Sequence, residues 1–241
     1  MQKICAKLVP KILTNEQKEN RRNVCLDLLE RIEDKNFLKH VITGDETWIL
    51  EYDPDTKTTK FGGAHEQLTA PKESKNEQNK NQNHDNLFLS TVKALFIRNS
   101  CLNDKQFNKQ YYREVLERLI KRVHHVRPEI ADTWMLHHDS APCHTAISVN
   151  EFLAKKGISV VPQPPYSPSL SPCDFFLFPK FKFHLIGRHL ETVANIQKVV
   201  TDQLRALPHE DFQHCYRERE QRLRQCVASE GNYFEGDKVD L

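Results

Sequence analysis

The sequence has no Cys-x-x-Cys pair, although seven cysteines are spread over its 241 residues. Structural zinc sites normally use such close pairs, and disulfide-rich secreted folds use an even number of regularly spaced cysteines. An odd, scattered set argues against both classes. We therefore expect the chain to function in a reducing compartment.

Long apolar runs are missing as well. No stretch approaches the roughly 20 apolar residues of a membrane-spanning helix, and the start of the chain lacks the apolar segment of a secretory signal. The net charge is small, with 35 basic and 33 acidic residues. This balance permits nucleic-acid binding without indicating it.

Residues 1–36 are predicted to form an extended arm followed by one helix. Thr14 and Gln17 have the spacing of a capping box, and apolar residues then recur at three- and four-residue intervals. The main domain occupies residues 37–241. Within it, residues 72–86 are mostly Lys, Asn, Gln, Glu and Asp, which predicts a flexible polar loop.

Strands and helices are predicted to alternate after residue 87, which indicates an α/β domain with a mixed sheet. A four-residue repeat of apolar side chains predicts a helix that ends before Pro128. The repeat consists of Phe107, Tyr111, Val115, Leu119 and Val123. The other predicted elements are strands at 87–97, 133–138 and 158–161, and helices at 145–156, 192–206 and 209–228. Phe37 to Tyr52 is predicted to be extended, with Gly44-Asp45 as a turn, for which a hairpin is the simplest interpretation.

Three acidic residues lie at the ends of predicted elements. Asp139 directly follows a buried strand, the usual place of catalytic groups in open α/β sheets. Asp45 follows an apolar run, and Asp174 lies in the first turn of a predicted helix. Carboxylates in such positions suit Mg²⁺ or Mn²⁺, and two such ions cleave phosphodiesters by activating a water or a 3′-hydroxyl. With 33 acidic residues in the chain, position alone is weak evidence.

The residues around these acids resemble the three catalytic blocks of mariner-family transposases. The blocks are Thr43–Trp48 (Thr-Gly-Asp-Glu-Thr-Trp), His137–Thr145 (His-His-Asp-Ser-Ala-Pro-Cys-His-Thr) and Pro165–Asp174 (Pro-Tyr-Ser-Pro-Ser-Leu-Ser-Pro-Cys-Asp). The 34 residues between the second and third acids match the spacing that marks this family. The resemblance extends over roughly four-fifths of the chain, including Cys226 to Phe234.

This resemblance implies an RNase H-like fold, with a central five-stranded mixed sheet flanked by helices. It implies cut-and-paste DNA transposition in the nucleus by a homodimer. Asp45, Asp139 and Asp174 would be the catalytic residues and the ligands of two Mg²⁺ or Mn²⁺ ions.

Candidate DNA contacts are weaker predictions. The basic face of the helix before Pro128, with Arg113, Arg118, Lys121, Arg122 and Arg127, is either a solvated face or a phosphate-contacting one. We select Arg118, Lys121 and Arg122 as DNA-binding candidates. A second basic helix carries Arg217, Arg219, Arg222 and Arg224. His144 is either a DNA-facing residue or a structural neighbour of the site.

Several departures from the family predict impaired activity. The linker motif Trp-Val-Pro-His-x-Leu lacks its Trp and His in Lys7 to Leu13, and Ser169 replaces an Asp in the loop that meets this linker in the partner subunit. The two helix-turn-helix units that precede the linker in the family do not precede it in this sequence, so we expect sequence-specific end binding to be lost. Residues 60–105 do not match, so we expect a sheet short of one strand. The alternative function is an inactive domesticated or relic domain that binds DNA non-specifically.

Two further patterns have structural explanations. Cys143 and His144 are adjacent, so their side chains diverge, which argues against a Cys/His nucleophile. Five phenylalanines between 175 and 183 are favoured as core residues over base-stacking residues.

Overall fold

The computed structural model describes residues 10–34, 36–50, 82–90, 94–102, 108–183, 185 and 192–234. Most of the N-terminal arm and residues 72–81 of the predicted polar loop lie outside these ranges. The helices are α1 (Asn15–Ile32), α2 (Phe37–His40), α3 (Lys109–Val126), α4 (Ile147–Lys155), α5 (Phe178–Phe183), α6 (Val193–Ala206) and α7 (His209–Ala228). The strands are β1 (Val41–Leu50), β2 (Gln82–Ser90), β3 (Ala94–Leu102), β4 (Met135–His137) and β5 (Ser159–Val161).

The described strands form one five-stranded mixed sheet in the order β3-β2-β1-β4-β5. β1 is antiparallel to β2 and parallel to β4, and β5 continues the parallel side. The mixed α/β sheet predicted from the alternation of elements is therefore confirmed.

The prediction of a missing strand is wrong. β2 and β3 form an antiparallel pair beside β1, where the sequence suggested a single strand at 87–97. β2 begins at Gln82, so the last five residues of the predicted polar loop are part of a strand. Pairing between strands uses backbone groups, so polar residues such as those at 82–86 take part when a neighbouring strand offers partners.

The predicted turn at Gly44-Asp45 is also wrong. Both residues lie inside the continuous strand β1, where Gly44 pairs with Phe88 and Asp45 with Leu87. A Gly-Asp dipeptide favours a turn only when no neighbouring strand satisfies its backbone groups.

Helices cover both faces of the sheet. Val41 and Ile42 are adjacent in β1 and point to opposite faces. Ile42 packs with α3 and α4 in one core cluster, and Val41 packs with α1 and α7 in another. A third cluster joins the segment around Phe176 to α6 and α7.

α1 packs as part of this body. Its capping box at Thr14 and Gln17 is present as predicted, and its Cys25 and Leu28 share a core cluster with Leu223 of α7. Among the described residues, none of the helices has the length and apolarity required to span a bilayer.

Candidate active site

β1 and β4 bring Asp45 and Asp139 to the same edge of the sheet. The strands are parallel neighbours in which Thr43 pairs with His137. Asp45 and Asp139 each lie two residues beyond this pair. Because the two strands run in the same direction, both acidic residues lie toward the carboxyl-terminal edge of the sheet.

A π-helical segment, Cys173–Leu177, carries Asp174 to the same place. The Cys173 thiol donates a hydrogen bond to the backbone oxygen of Thr43 over 3.9 Å, which ties the segment to β1. Asp174 lies in the first turn, where the helix dipole favours a negative charge. The segment continues directly into α5, and its wider π-helical turn precedes Pro179.

One cavity of about 590 Å³ lies between these elements. Asp45, Asp139 and Asp174 all line it. A second part of its wall is the proline-rich loop, defined here as residues 162–172, which contributes residues from Gln163 to Ser171. The three acids chosen from the sequence therefore face one shared space.

Asp45 and Asp174 are too close to be ionised independently. Burial raises the pKa of Asp45 to about 9, and the charges of Asp174, Glu46 and Asp139 add to this effect. Burial also raises the pKa of Asp174, against hydrogen bonds with Asp45 and Ser171 that favour its charged form. The pair therefore holds a proton at neutral pH.

Asp139 is instead kept ionised by His144. The Nδ1 of His144 lies 2.6 Å from Oδ1 of Asp139, and its Nε2 lies 3.4 Å from Oε1 of Glu46. Burial raises the pKa of Asp139, but the hydrogen bond and charge of His144 outweigh it and lower the pKa overall. Burial likewise opposes the charged form of His144, yet the bonds to Asp139, Cys143 and Glu46 raise its pKa to about 12.

Aromatic side chains pack against the His144–Asp139 pair. The Tyr112 ring lies 4.0 Å from the His144 ring between centroids. The Tyr112 hydroxyl is 2.8 Å from Nδ1 of His138. Burial and the charge of His144 lower the pKa of His138 to about 3. On the other side of the strand, Nε2 of His137 is 2.9 Å from the Gln163 side-chain oxygen, which links β4 to the proline-rich loop.

The donor set fits a hard divalent cation. Carboxylate oxygens are the ligands that Mg²⁺ and Mn²⁺ prefer. Burial and the neighbouring negative charges raise the pKa of Asp45, and a bound cation would offset both effects. In the conformation described, no three His, Cys, Asp or Glu side chains within the described ranges already form a metal-holding group. Metal binding would therefore have to displace the proton held by Asp45 and Asp174.

The part of the chain that contains the three acids matches a known family. The family of DDE superfamily endonucleases matches residues 40–195, a span that contains all three acids. The chain belongs to this family.

Among known proteins, the chain is similar to mariner transposases. The Mos1 mariner transposase of Drosophila mauritiana is 29% identical over 231 residues, which cover 94% of this chain and 66% of that protein. The crystal structure of the Mos1 catalytic domain matches 95% of this chain and 100% of that one, with a TM-score of 0.78 and 26% identity. The Mos1 paired end complex with Mn matches 98% of this chain and 68% of that one, with a TM-score of 0.83 and 27% identity.

These matches confirm the mariner resemblance and the RNase H-like fold expected from the sequence. The chain spans about two thirds of the length of the Mos1 transposase.

The candidate DNA contacts lie away from the cavity. Arg118, Lys121 and Arg122 are exposed on α3, six to ten residues beyond Tyr112, or about 9–15 Å along the helix. They remain candidates for phosphate contacts. His144 is buried against Asp139, so it has the position of a structural neighbour of the site.

Two arginines assigned to basic surfaces are in fact buried. Arg127 pairs with Glu129 and donates a hydrogen bond to the backbone oxygen of Lys39 at 3.4 Å. Arg219 lies inside the protein on the buried face of α7. Its position four residues after Cys215 and four before Leu223 places it on the apolar stripe of the helix, so helical spacing overrides its charge.

Sequence reasoning missed the neighbours that support the acids. Tyr112, Glu46 and Gln163 were not selected, although Glu46 directly follows Asp45 in the first catalytic block. Tyr112 lies 27 residues before Asp139 on another element, and no sequence pattern signals that contact.

The described side chains of the aromatic run after Asp174 belong to the core, as predicted. Phe176 and Phe178 are buried with Leu177 in one cluster, and Phe175 packs against it. The side chains of Phe181 and Phe183 lie outside the described set.

Proposed function

We propose that this chain is the catalytic domain of a mariner-type transposase that cuts DNA and joins strands with two Mg²⁺ or Mn²⁺ ions held by Asp45, Asp139 and Asp174. The observation that supports this most strongly is the convergence of the three carboxylates on one cavity at the carboxyl-terminal edge of parallel strands. The relative solved as a paired end complex with Mn supports the choice of ions.

The chain's own residues would perform distinct tasks in this reaction. When bound, the ions would supply activation of the attacking oxygen and stabilisation of the leaving one. Asp45 and Asp174 would give up their proton on binding them. Asp139 is already ionised and is held by His144, so its carboxylate is oriented before any ligand arrives.

Phosphate contacts outside the cavity would hold the DNA. Arg118, Lys121 and Arg122 extend from the exposed face of α3. Three such contacts would give a slope of about −2.7 in a plot of log affinity against log salt concentration, at about 0.9 per phosphate. Loss of Lys121 alone would reduce that slope by about one.

The decisive experiment is nicking of supercoiled plasmid by the purified protein with and without Mn²⁺. Asp139→Asn should abolish nicking, whereas Asp132→Asn should leave it unchanged. Asp132 is a matched control because it is an exposed aspartate seven positions earlier. Equal nicking by wild type and Asp139→Asn would assign the activity to a contaminant and reject the proposal.

The second candidate is a DNA-binding domain without chemistry. The observation that favours it is that Asp45 and Asp174 share a proton and, among the described residues, form no ready metal group with Asp139. It predicts salt-sensitive binding to DNA that Asp139→Asn does not change, with no nicking in Mn²⁺ or Mg²⁺.

Assembly and location follow from the family resemblance. We propose a homodimer, consistent with the 89% exposure of Ile12 in the arm, and a nuclear location where the DNA substrate resides. Light scattering of the purified protein tests the first, because a monomeric mass at micromolar concentration would contradict it. Microscopy of a fluorescent fusion tests the second.

A further inference from the structure

The proline-rich loop contains a strained residue beside the cavity. Tyr166 has a φ of 54°, in the left-handed region that non-glycine residues rarely occupy. Such a conformation persists only where surrounding contacts impose it. The backbone at Tyr166 therefore needs a specific set of partners.

Arg21 and Tyr233 supply these partners from the two ends of the described chain. The backbone oxygen of Tyr166 accepts a hydrogen bond from Nη1 of Arg21 at 3.4 Å and from the hydroxyl of Tyr233 at 3.0 Å. Arg21 also donates to the hydroxyl of Ser167. That hydroxyl in turn donates to the backbone oxygen of Pro165 at 2.9 Å.

The same guanidinium holds the turn that follows α7. Its Nε donates to the backbone oxygen of Gly231 at 2.9 Å, and its Cζ lies 4.8 Å from the centre of the Tyr233 ring. Gly231 has a φ of 76°, and a Cβ there would lie 1.9 Å from the backbone oxygen of Lys18. The turn therefore packs directly against α1, one helical turn before Arg21.

A buried arginine is a costly way to achieve this. Arg21 is fully buried, and the oxygens that accept its hydrogen bonds in the described residues are neutral backbone and hydroxyl groups. Desolvation of a charge without a carboxylate partner opposes folding. An apolar side chain would fill the space more cheaply but would not fix three backbone segments relative to one another.

The contacts continue from the loop to the acids. The Gln163 side chain donates to the backbone oxygen of Ser167 at 2.8 Å and bonds His137 of β4 at 2.9 Å. The loop then leads through Ser171 to Asp174. The loop therefore contacts the strand that precedes Asp139 and runs directly into the segment that carries Asp174.

We propose that Arg21 is a positioning residue that acts with Gly231 and Tyr233 to hold the proline-rich loop in its cavity-lining conformation. The link to catalysis rests on the proposed function. The structural part of the inference does not, because it concerns the order of the loop itself.

The test compares Arg21→Gln, Arg21→Lys and Tyr233→Phe with Arg22→Gln. Arg22 is an exposed neighbour on the same helix, so its variant carries the same charge change without the contacts. Tyr233→Phe removes one hydroxyl and keeps the ring, so it serves if Arg21→Gln fails to fold. Hydrogen exchange of the full chain, followed by mass spectrometry, reports the order of residues 163–171, and Mn²⁺-dependent nicking reports kcat and KM.

We expect amide exchange in the loop to become at least about tenfold faster in Arg21→Gln and Tyr233→Phe, with the sheet unaffected and Arg22→Gln like wild type. In nicking, kcat should fall about tenfold to a hundredfold, with KM for DNA within about twofold and partial recovery in Arg21→Lys. Unchanged loop exchange in Tyr233→Phe and Arg21→Gln, or a uniform increase across the whole protein, would overturn the inference. Faster loop exchange with normal kcat would overturn its link to catalysis. Failure of wild type to nick would refute the proposed function instead, and the exchange result would still decide the positioning of the loop.

Discussion

The His144–Asp139 pair gives a prediction that the structure makes quantitative. His144 is 1% exposed and Asp139 is 51% exposed in their side chains. Removing one partner of a fully buried pair costs about 3–5 kcal/mol. Because solvent screens the exposed half of Asp139, we expect His144→Ala to cost about 2 kcal/mol, which lowers Tm by about 4–8 °C in a domain of this size.

A double-mutant cycle separates the pair from the packing of the His144 ring. Thermal or urea unfolding of wild type, His144→Ala, Asp139→Asn and the double variant should give a coupling energy of about 1 kcal/mol or more. His214→Ala is the control, because His214 is 60% exposed and lies 3.8 Å from Glu218. A coupling below about 0.3 kcal/mol, within the additivity expected of independent sites, would refute the assignment of Asp139 to His144.

The pH dependence of the stability difference between wild type and His144→Ala provides a second check. The pKa of His144 is raised to about 12 in the folded protein, so its stabilising effect is complete below pH 6.5 and declines as pH rises toward 12. The stability difference between wild type and His144→Ala should therefore shrink between pH 7 and pH 10 in EDTA. A difference that grows over this range would contradict the reasoning.

Three other predictions follow from the acids and from the C-terminal turn. In EDTA, the wild type should lose stability between pH 7 and pH 9, because the pKa of Asp45 is raised to about 9 and its proton must leave; calorimetry at matched ionic strength measures this. Asp45→Asn should remove the part of that loss that belongs to Asp45, leave the part that belongs to His144, and raise Tm at pH 8, while it abolishes nicking and the increase in Tm on adding Mn²⁺. A lower Tm at pH 8 would contradict the unfavourable burial of the Asp45 charge. Gly231→Ala should lower the free energy of unfolding by about 2–3 kcal/mol, because of the left-handed φ and the overlap with Lys18. Gly157 has a similar φ of 69° but open space around an added Cβ, so Gly157→Ala should lower it by about 1 kcal/mol. Equal losses in the two variants would contradict the steric argument.

Local signals in the sequence predicted the helices well. The capping box at Thr14, the apolar stripe of Val115, Leu119 and Val123, and the left-handed Gly157 after α4 all depend on residues within one or two turns of each other. Such interactions are readable because the partners are close in the chain.

Features that depend on distant partners were harder to predict. Gly44-Asp45 is part of a strand because β2 and β4 lie on either side of it, and no pattern near residue 44 announces those neighbours. Arg21 and Arg219 are buried against propensity for the same reason. The three acids that line the cavity were selected because the surrounding blocks resemble a family, since position along the chain could not have distinguished them from 30 other acidic residues.

The packing of α1 against α7 has a consequence for synthesis of the protein. Cys25 and Cys226 occupy the same core cluster although about 200 residues separate them. At a translation rate of about 5–20 residues per second, the apolar face of α1 waits roughly 10–40 s on the ribosome before its partner exists. During that interval α1 is a natural ligand for chaperones, and a ribosome that stalls before α7 would hold a chain whose first helix lacks the helix that covers much of its apolar face.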